Sequence, residues 1–223
     1  MLLEVCAYNV QSAILAQQNG AGRIEFCADP YHGGITPSYG AIMQAIEQVA
    51  IPVYCMIRPR AGNFIYDEQE IAIIKKDIMA CRELGCKGIA TGAHLADGKL
   101  DVDLMKRMVD WAYPMGVTCH KVFDLAPDAY QALEAVINAG CERVLSSGLQ
   151  PNAMEGADTL KALHEQAAGR IIIMAGGGVR STNITELMNK TGLTEYHSSA
   201  LKYSDEKYIA DVAELKALVK SLL

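Results

Sequence analysis

The chain has 223 residues, 51% of them hydrophobic and 21% charged, with a net charge of -6 and a pI near 5.4. That composition supports a large core and argues against extensive disorder. No basic tract occurs, so neither nucleic acid nor an anionic membrane is an expected partner. The N-terminus, MLLEVCAYNV, lacks a basic region and meets Glu4 at once, unlike a secretory signal. Runs such as Ile171 to Ala175 are too short to span a bilayer, so a soluble cytoplasmic protein is expected. The seven cysteines form no CxxC and fit reduced thiols better than a disulfide framework.

One rhythm of short β-prone runs and helical patterns repeats along the chain. The first strand is expected at 2–8, followed by a helix from Val10 to Asn19. The second, RIEFCA at 23–28, leads through a loop to a helix over Ser38–Val49. Strands at 52–59 and 88–92 precede helices over Glu68–Leu84 and Asp101–Tyr113. Strands at 117–123 and 143–148 precede helices over Pro127–Ala139 and Ala157–Ala168. Strands at 170–177 and 195–200 precede helices over Asn183–Asn189 and Asp205–Leu222. Pro37 and Pro127 suit first-turn positions, and Gly20, Gly85, Gly140, Gly169 and Gly192 stand where helices should stop.

Eight strands alternating with eight helices point to parallel strands with helical crossovers. The leading closure is a single-domain (β/α)8 TIM barrel over 1–223, with a doubly wound open sheet as the alternative. The turn after the first strand, AYNVQS, holds no glycine, which disfavours the open sheet and a nucleotide cofactor.

In such a barrel the working groups collect at the C-terminal ends of the strands. Those ends bring Glu25, Arg58, His120, Lys121, Asp124 and His197, the candidates for acid–base chemistry. Charged groups within apolar strands need partners or a wet pocket, and Glu25 with Arg58 is the first expected pair. Gly176, Gly177 and Gly178, with Ser198 on the next strand, form a candidate anion site. The strands LLEVC and RIEFC each carry a glutamate and, two places on, a cysteine. Side chains two apart share a face. With matched registers, Cys6 and Cys27 would face one another at about 4.8 Å. Two such thiolates suit Cu(I), and equally fit two small buried hydrophobes.

LEVC, GAGRIEFC, GGITPSYG, PVYCMIRPRAGNFIY, HKVFD, RVLSSG, IIIMAGGGV and EYHSS together resemble the CutC copper homeostasis family, in register from Leu3 to about Ser199. The resemblance implies a cytoplasmic (β/α)8 barrel, often dimeric, with Cu(I) held by Cys6 and Cys27. Lys121 stands where the family usually has arginine, which removes a planar bidentate fork. Asn63 stands for a carboxylate. Two functions are therefore expected to compete. One is copper handling through the thiols. The other is an enzyme acting on a small anionic or phosphorylated substrate at the barrel mouth.

Overall fold

The computed structural model describes residues 1–204 and 207–223. Eight parallel strands close into a barrel in sequential order. They are β1 (Leu2–Ala7), β2 (Arg23–Phe26), β3 (Val53–Met56), β4 (Gly88–Thr91), β5 (Gly116–Cys119), β6 (Arg143–Ser146), β7 (Ile172–Ala175) and β8 (Glu195–Ser198). The crossovers carry α1 (Val10–Gln18), α2 (Tyr39–Gln48), α3 (Glu68–Leu84), α4 (Val102–Ala112), α5 (Ala129–Ala139), α6 (Ala157–Ala167) and α7 (Ile184–Thr191). The fold is the (β/α)8 barrel. The open-sheet alternative is excluded, because β1 pairs with both β2 and β8.

Alternation along each strand builds two layers. Val5, Ile24, Cys55, Ile89, Val117, Val144, Ile173 and Tyr196 point outward and join one large core beneath the helices. The residues between them point into the barrel, where Cys6, Cys27, Met56 and Ala90 pack as a small separate cluster. The lower interior is filled by Tyr54. A Cβ at Gly88 would lie 2.1 Å from its ring, so only glycine leaves it room.

Helix starts follow side-chain caps. Asn9 Oδ1 accepts from the Ser12 N–H at 2.8 Å, and Asp67 forms a capping box with Glu70. Each such cap is worth about 1 kcal/mol. Pro37 and Pro127 sit one place earlier than their sequence context suggests. Each precedes the capping residue, Ser38 or Asp128, and leaves helix initiation to that side chain. Gly85, Gly140 and Gly192 end their helices in the left-handed conformation, as expected.

The last segment differs from its expected form. A hairpin of β9 (Leu201–Ser204) and β10 (Lys207–Ala210) precedes α8 (Val212–Leu222). Tyr203, Tyr208 and Ile209 favour an extended pair. Asp211 then caps α8 by accepting from the Ala213 N–H at 2.9 Å. The expected helix began at Asp205; residues 205–206 lie outside the described residues. No helix among the described residues is long and apolar enough to cross a membrane.

Candidate active site and thiol pair

The strands deliver their C-terminal side chains to a cavity of ≈ 240 Å³ at the barrel mouth. Cys6, Glu25, Arg58, His120, Lys121 and His197 all line it, as do Gly177, Gly178 and Ser198, so nine of the sequence candidates meet in one place.

The β1–β2 register is offset from the matched one. Cys6 lies opposite Glu25 and Glu4 opposite Arg23, so the two motifs interleave. The side chains nonetheless lean together, and the Cys6 and Cys27 sulfurs are 3.6 Å apart. The Cys27 Sγ also lies 3.5 Å from Glu25 Oε2. Cys6, Glu25 and Cys27 can offer one ligand atom each within 4.8 Å of one another, as can Glu4, Glu25 and His197. The hydrogen bond with Cys27 pulls the Cys6 thiol well below its ordinary range against burial, helped by His197. Burial and the neighbouring Cys6 push Cys27 the other way. Two thiols in contact thus share their protons unequally.

Behind them runs a chain of carboxylates and one imidazole. His197 Nδ1 lies 2.7 Å from Glu4 Oε1, and its Nε2 lies 3.7 Å from Glu25 Oε2. Burial works against charge on Glu4, yet the His197 contact and the Arg23 guanidinium hold it down at about 2. Burial also works against the His197 imidazolium, but Glu25, Cys6 and Glu4 outweigh it and hold its pKa well above the usual histidine value. Glu25 is pushed well above the carboxylate range, first by burial and then by Cys6.

Arg58 does not pair with Glu25. Its Nη1 donates to the carbonyls of His32 and Gly34 at 2.8 and 3.0 Å, and its Nη2 to that of Gly62 at 2.7 Å. The guanidinium therefore staples two βα loops and lies 4.5 Å from the Phe64 ring centroid. Asp124 also departs from its expected place. It accepts from the Ser146 and Ser147 hydroxyls at 2.5 and 3.0 Å and from the Ser147 and Leu149 N–H groups at 2.9 and 3.2 Å. These bonds fix the end of β6 and keep Asp124 out of the cavity wall. Lys121 reaches from the wall to Ser147 Oγ at 3.3 Å.

The glycine run divides. Gly177 and Gly178 line the cavity with positive φ, whereas Gly176 packs behind it, where a Cβ would meet Leu145 at 2.3 Å. Ser198 lines the cavity, but its hydroxyl donates to the Val179 carbonyl at 2.7 Å and serves the turn. Tyr8, Phe64, Arg180 and Ser199 also line the wall, with Gly33, Met56, Leu145 and Val179, and of these Phe64 and Arg180 were not read as site residues from the sequence. Arg180 follows the glycine run by two places, and that was the available signal. Arg23, Arg143 and Glu195, which form the barrel floor, were also missed. Arginine inside a barrel strand was the cue.

The CutC family model matches residues 1–202. The chain belongs to the CutC family. It is 44% identical over 198 residues to a CutC family protein of Xylella fastidiosa, covering 89% of this chain and 74% of that one. It is 42% identical over 204 residues to the mouse copper homeostasis protein cutC homolog, covering 92% and 75%. The crystal structure of CutC from Streptococcus agalactiae superposes with a TM-score of 0.85 at 30% identity, covering 89% and 98%. Phosphoribosylanthranilate isomerase of Pyrococcus furiosus shares the barrel alone, at 13% identity and a TM-score of 0.65 over 100% of this chain and 98% of that one.

Proposed function

We propose that this CutC family member serves copper homeostasis by binding Cu(I) through Cys6 and Cys27. The observation that carries the reading is the pair of buried sulfurs 3.6 Å apart, of which Cys6 opens on the cavity. Sulfur is the donor a soft ion selects, and a thiol with a lowered pKa gives up its proton more readily when a metal ion binds. The mouse relative's name supports the same role. In this reading the protein works in the cytoplasm, as a homodimer, with the ion as cargo. A competition titration with a calibrated Cu(I) chelator tests it. The Cys6→Ser, Cys27→Ser double variant should lose at least about tenfold in affinity, equal to about 1.4 kcal/mol. Equal affinity for both proteins removes the proposal.

A second reading is favoured by a separate observation, the Glu4–His197–Glu25 chain facing the cavity. A thiol carrier has no use for it. In this reading Glu25 moves a proton on a small anionic or phosphorylated substrate. His197, oriented through Nδ1 by Glu4, stabilises the carboxylate when that proton leaves. The test is exchange of carbon-bound protons in D2O, followed by NMR on a panel of small sugar acids and phosphate esters. Exchange with the wild type and none with Glu25→Gln is expected. No exchange on any member of the panel sinks the reading.

A further inference from the structure

Three residues of the cavity wall each carry one buried N–H donor with no protein partner among the described residues. Arg58, 6% exposed, has both terminal nitrogens committed to backbone carbonyls, and its buried Nε has no partner. His120, 3% exposed, accepts the Val122 N–H on Nδ1 at 3.3 Å. That bond puts the ring proton on Nε2, which is buried and unpartnered. Arg180 touches Ser199 Oγ with Nη2 at 3.4 Å and leaves its buried Nη1 without a partner. Glu25 Oε1, on the same wall, is likewise buried and without a partner among the described residues. All four residues line the same ≈ 240 Å³ space, along with Lys121.

Buried polar groups without a partner are few in native proteins, and each calls for an explanation such as a catalytic role or a bound group. N–H donors cannot ligate a copper ion, so the thiol site does not account for them. Each donor side chain except Arg180 is fixed from behind, which makes the seat preorganised. The volume lies below the about 300–1,000 Å³ typical of drug-sized sites, which excludes a dinucleotide and fits a small metabolite.

We propose that Arg58, His120 and Arg180 bind the oxyanion of a small hydroxylated organic acid, whose hydroxyl group turns toward Glu25. The oxyanion is a carboxylate or a phosphate, two sources of one chemistry. The proposal rests on the acid–base reading of this cavity and supplies its substrate class.

The test is NMR of the full chain, observing the His120 Nε2–H and Arg58 Nε–H, titrated with D-glycerate, with sn-glycerol 3-phosphate and with neutral glycerol. At least one acid should shift both signals saturably in the millimolar range, and glycerol should not. The tighter acid identifies the oxyanion. Arg180→Ala and His120→Phe should each weaken binding about tenfold or more. The proposal is overturned if neither acid gives a saturable shift, or if both variants bind as the wild type does. Should His120→Phe fail to fold, Arg180→Ala at the half-buried rim still decides. Binding without proton exchange supports the seat and removes the catalytic reading. Exchange on a neutral polyol without acid binding does the reverse.

Discussion

At the floor of the barrel Arg23 and Arg143 face Glu4 and Glu195. Arg23 reaches both glutamates at 2.5 Å, and Arg143 reaches Glu195 at 2.6 Å and Glu142 at 2.7 Å. Tyr54 lies beneath both guanidiniums, 5.2 and 5.4 Å from its centroid. About two residues higher, at the mouth, the same residue types behave differently. Arg58 and Glu25 are as buried as the floor residues, yet they do not meet, and each keeps an unpartnered polar atom. A buried charge with complete partners holds structure together. A buried charge held from behind and left open in front is suited to recognising something else. The difference is one of partners, because composition and burial are alike.

The largest effect should come from opening the floor. Glu195→Ala leaves two buried arginines side by side with Glu4 and Glu142 alone to answer them. Removing one partner of a buried pair costs about 3–5 kcal/mol. Urea denaturation should show a loss near that size. A loss under about 1 kcal/mol would mean that water replaces the carboxylate and that the floor is not closed.

The mouth should show its openness as a dependence on pH. Burial, with Arg58 beside it, pushes His120 down to about 3. Its value in the unfolded chain is about 6.5. The folded ring therefore refuses a proton that the unfolded ring accepts. Its contribution is complete above about pH 6.5 and falls as pH drops toward 3, by up to about 1.4 kcal/mol per unit. At pH 5 the loss should be about 2 kcal/mol. His120→Phe should remove that part of the acid slope in a denaturation series. An unchanged slope would place the histidine in water.

The barrel was legible because the strand-then-helix rhythm repeats eight times, with a glycine following five of the helices and capping side chains at most of their starts. The hairpin was not, because LKYS and KYIA are too short to stand out beside a long helical pattern. At the site, which residues gather followed from which strand ends they occupy. How they pair did not. Glu25 sits on β2 and Arg58 just past the end of the paired strand β3, but Arg58 finds three loop carbonyls first, and carbonyl positions are set by loop shape. Asp124 looked free in HKVFD and is instead consumed by Ser146 and Ser147, 22 and 23 residues on. The thiols meet although their strands are offset, since a barrel's stagger brings side chains from different heights together. Arg23 and Arg143 lie in the strands with apolar neighbours, and only closure shows that they face each other.

The smallest effect on stability should belong to Arg180, and it separates the two regions most cleanly. Among the described residues its side chain makes one hydrogen bond, to Ser199 Oγ at 3.4 Å, too long to hold the loop, and its Nη1 has no partner. Arg180→Ala should move the urea midpoint by no more than about 0.5 kcal/mol. The same variant should lose the affinity for the small acids that the wild type shows. A charged residue that contributes nothing to folding and much to binding is what an open seat requires. If Arg180→Ala instead unfolds the chain as readily as Glu195→Ala, the mouth is built like the floor. The unpartnered donors would then reflect packing around the loops, and the distinction between the two ends of the barrel would fall with them.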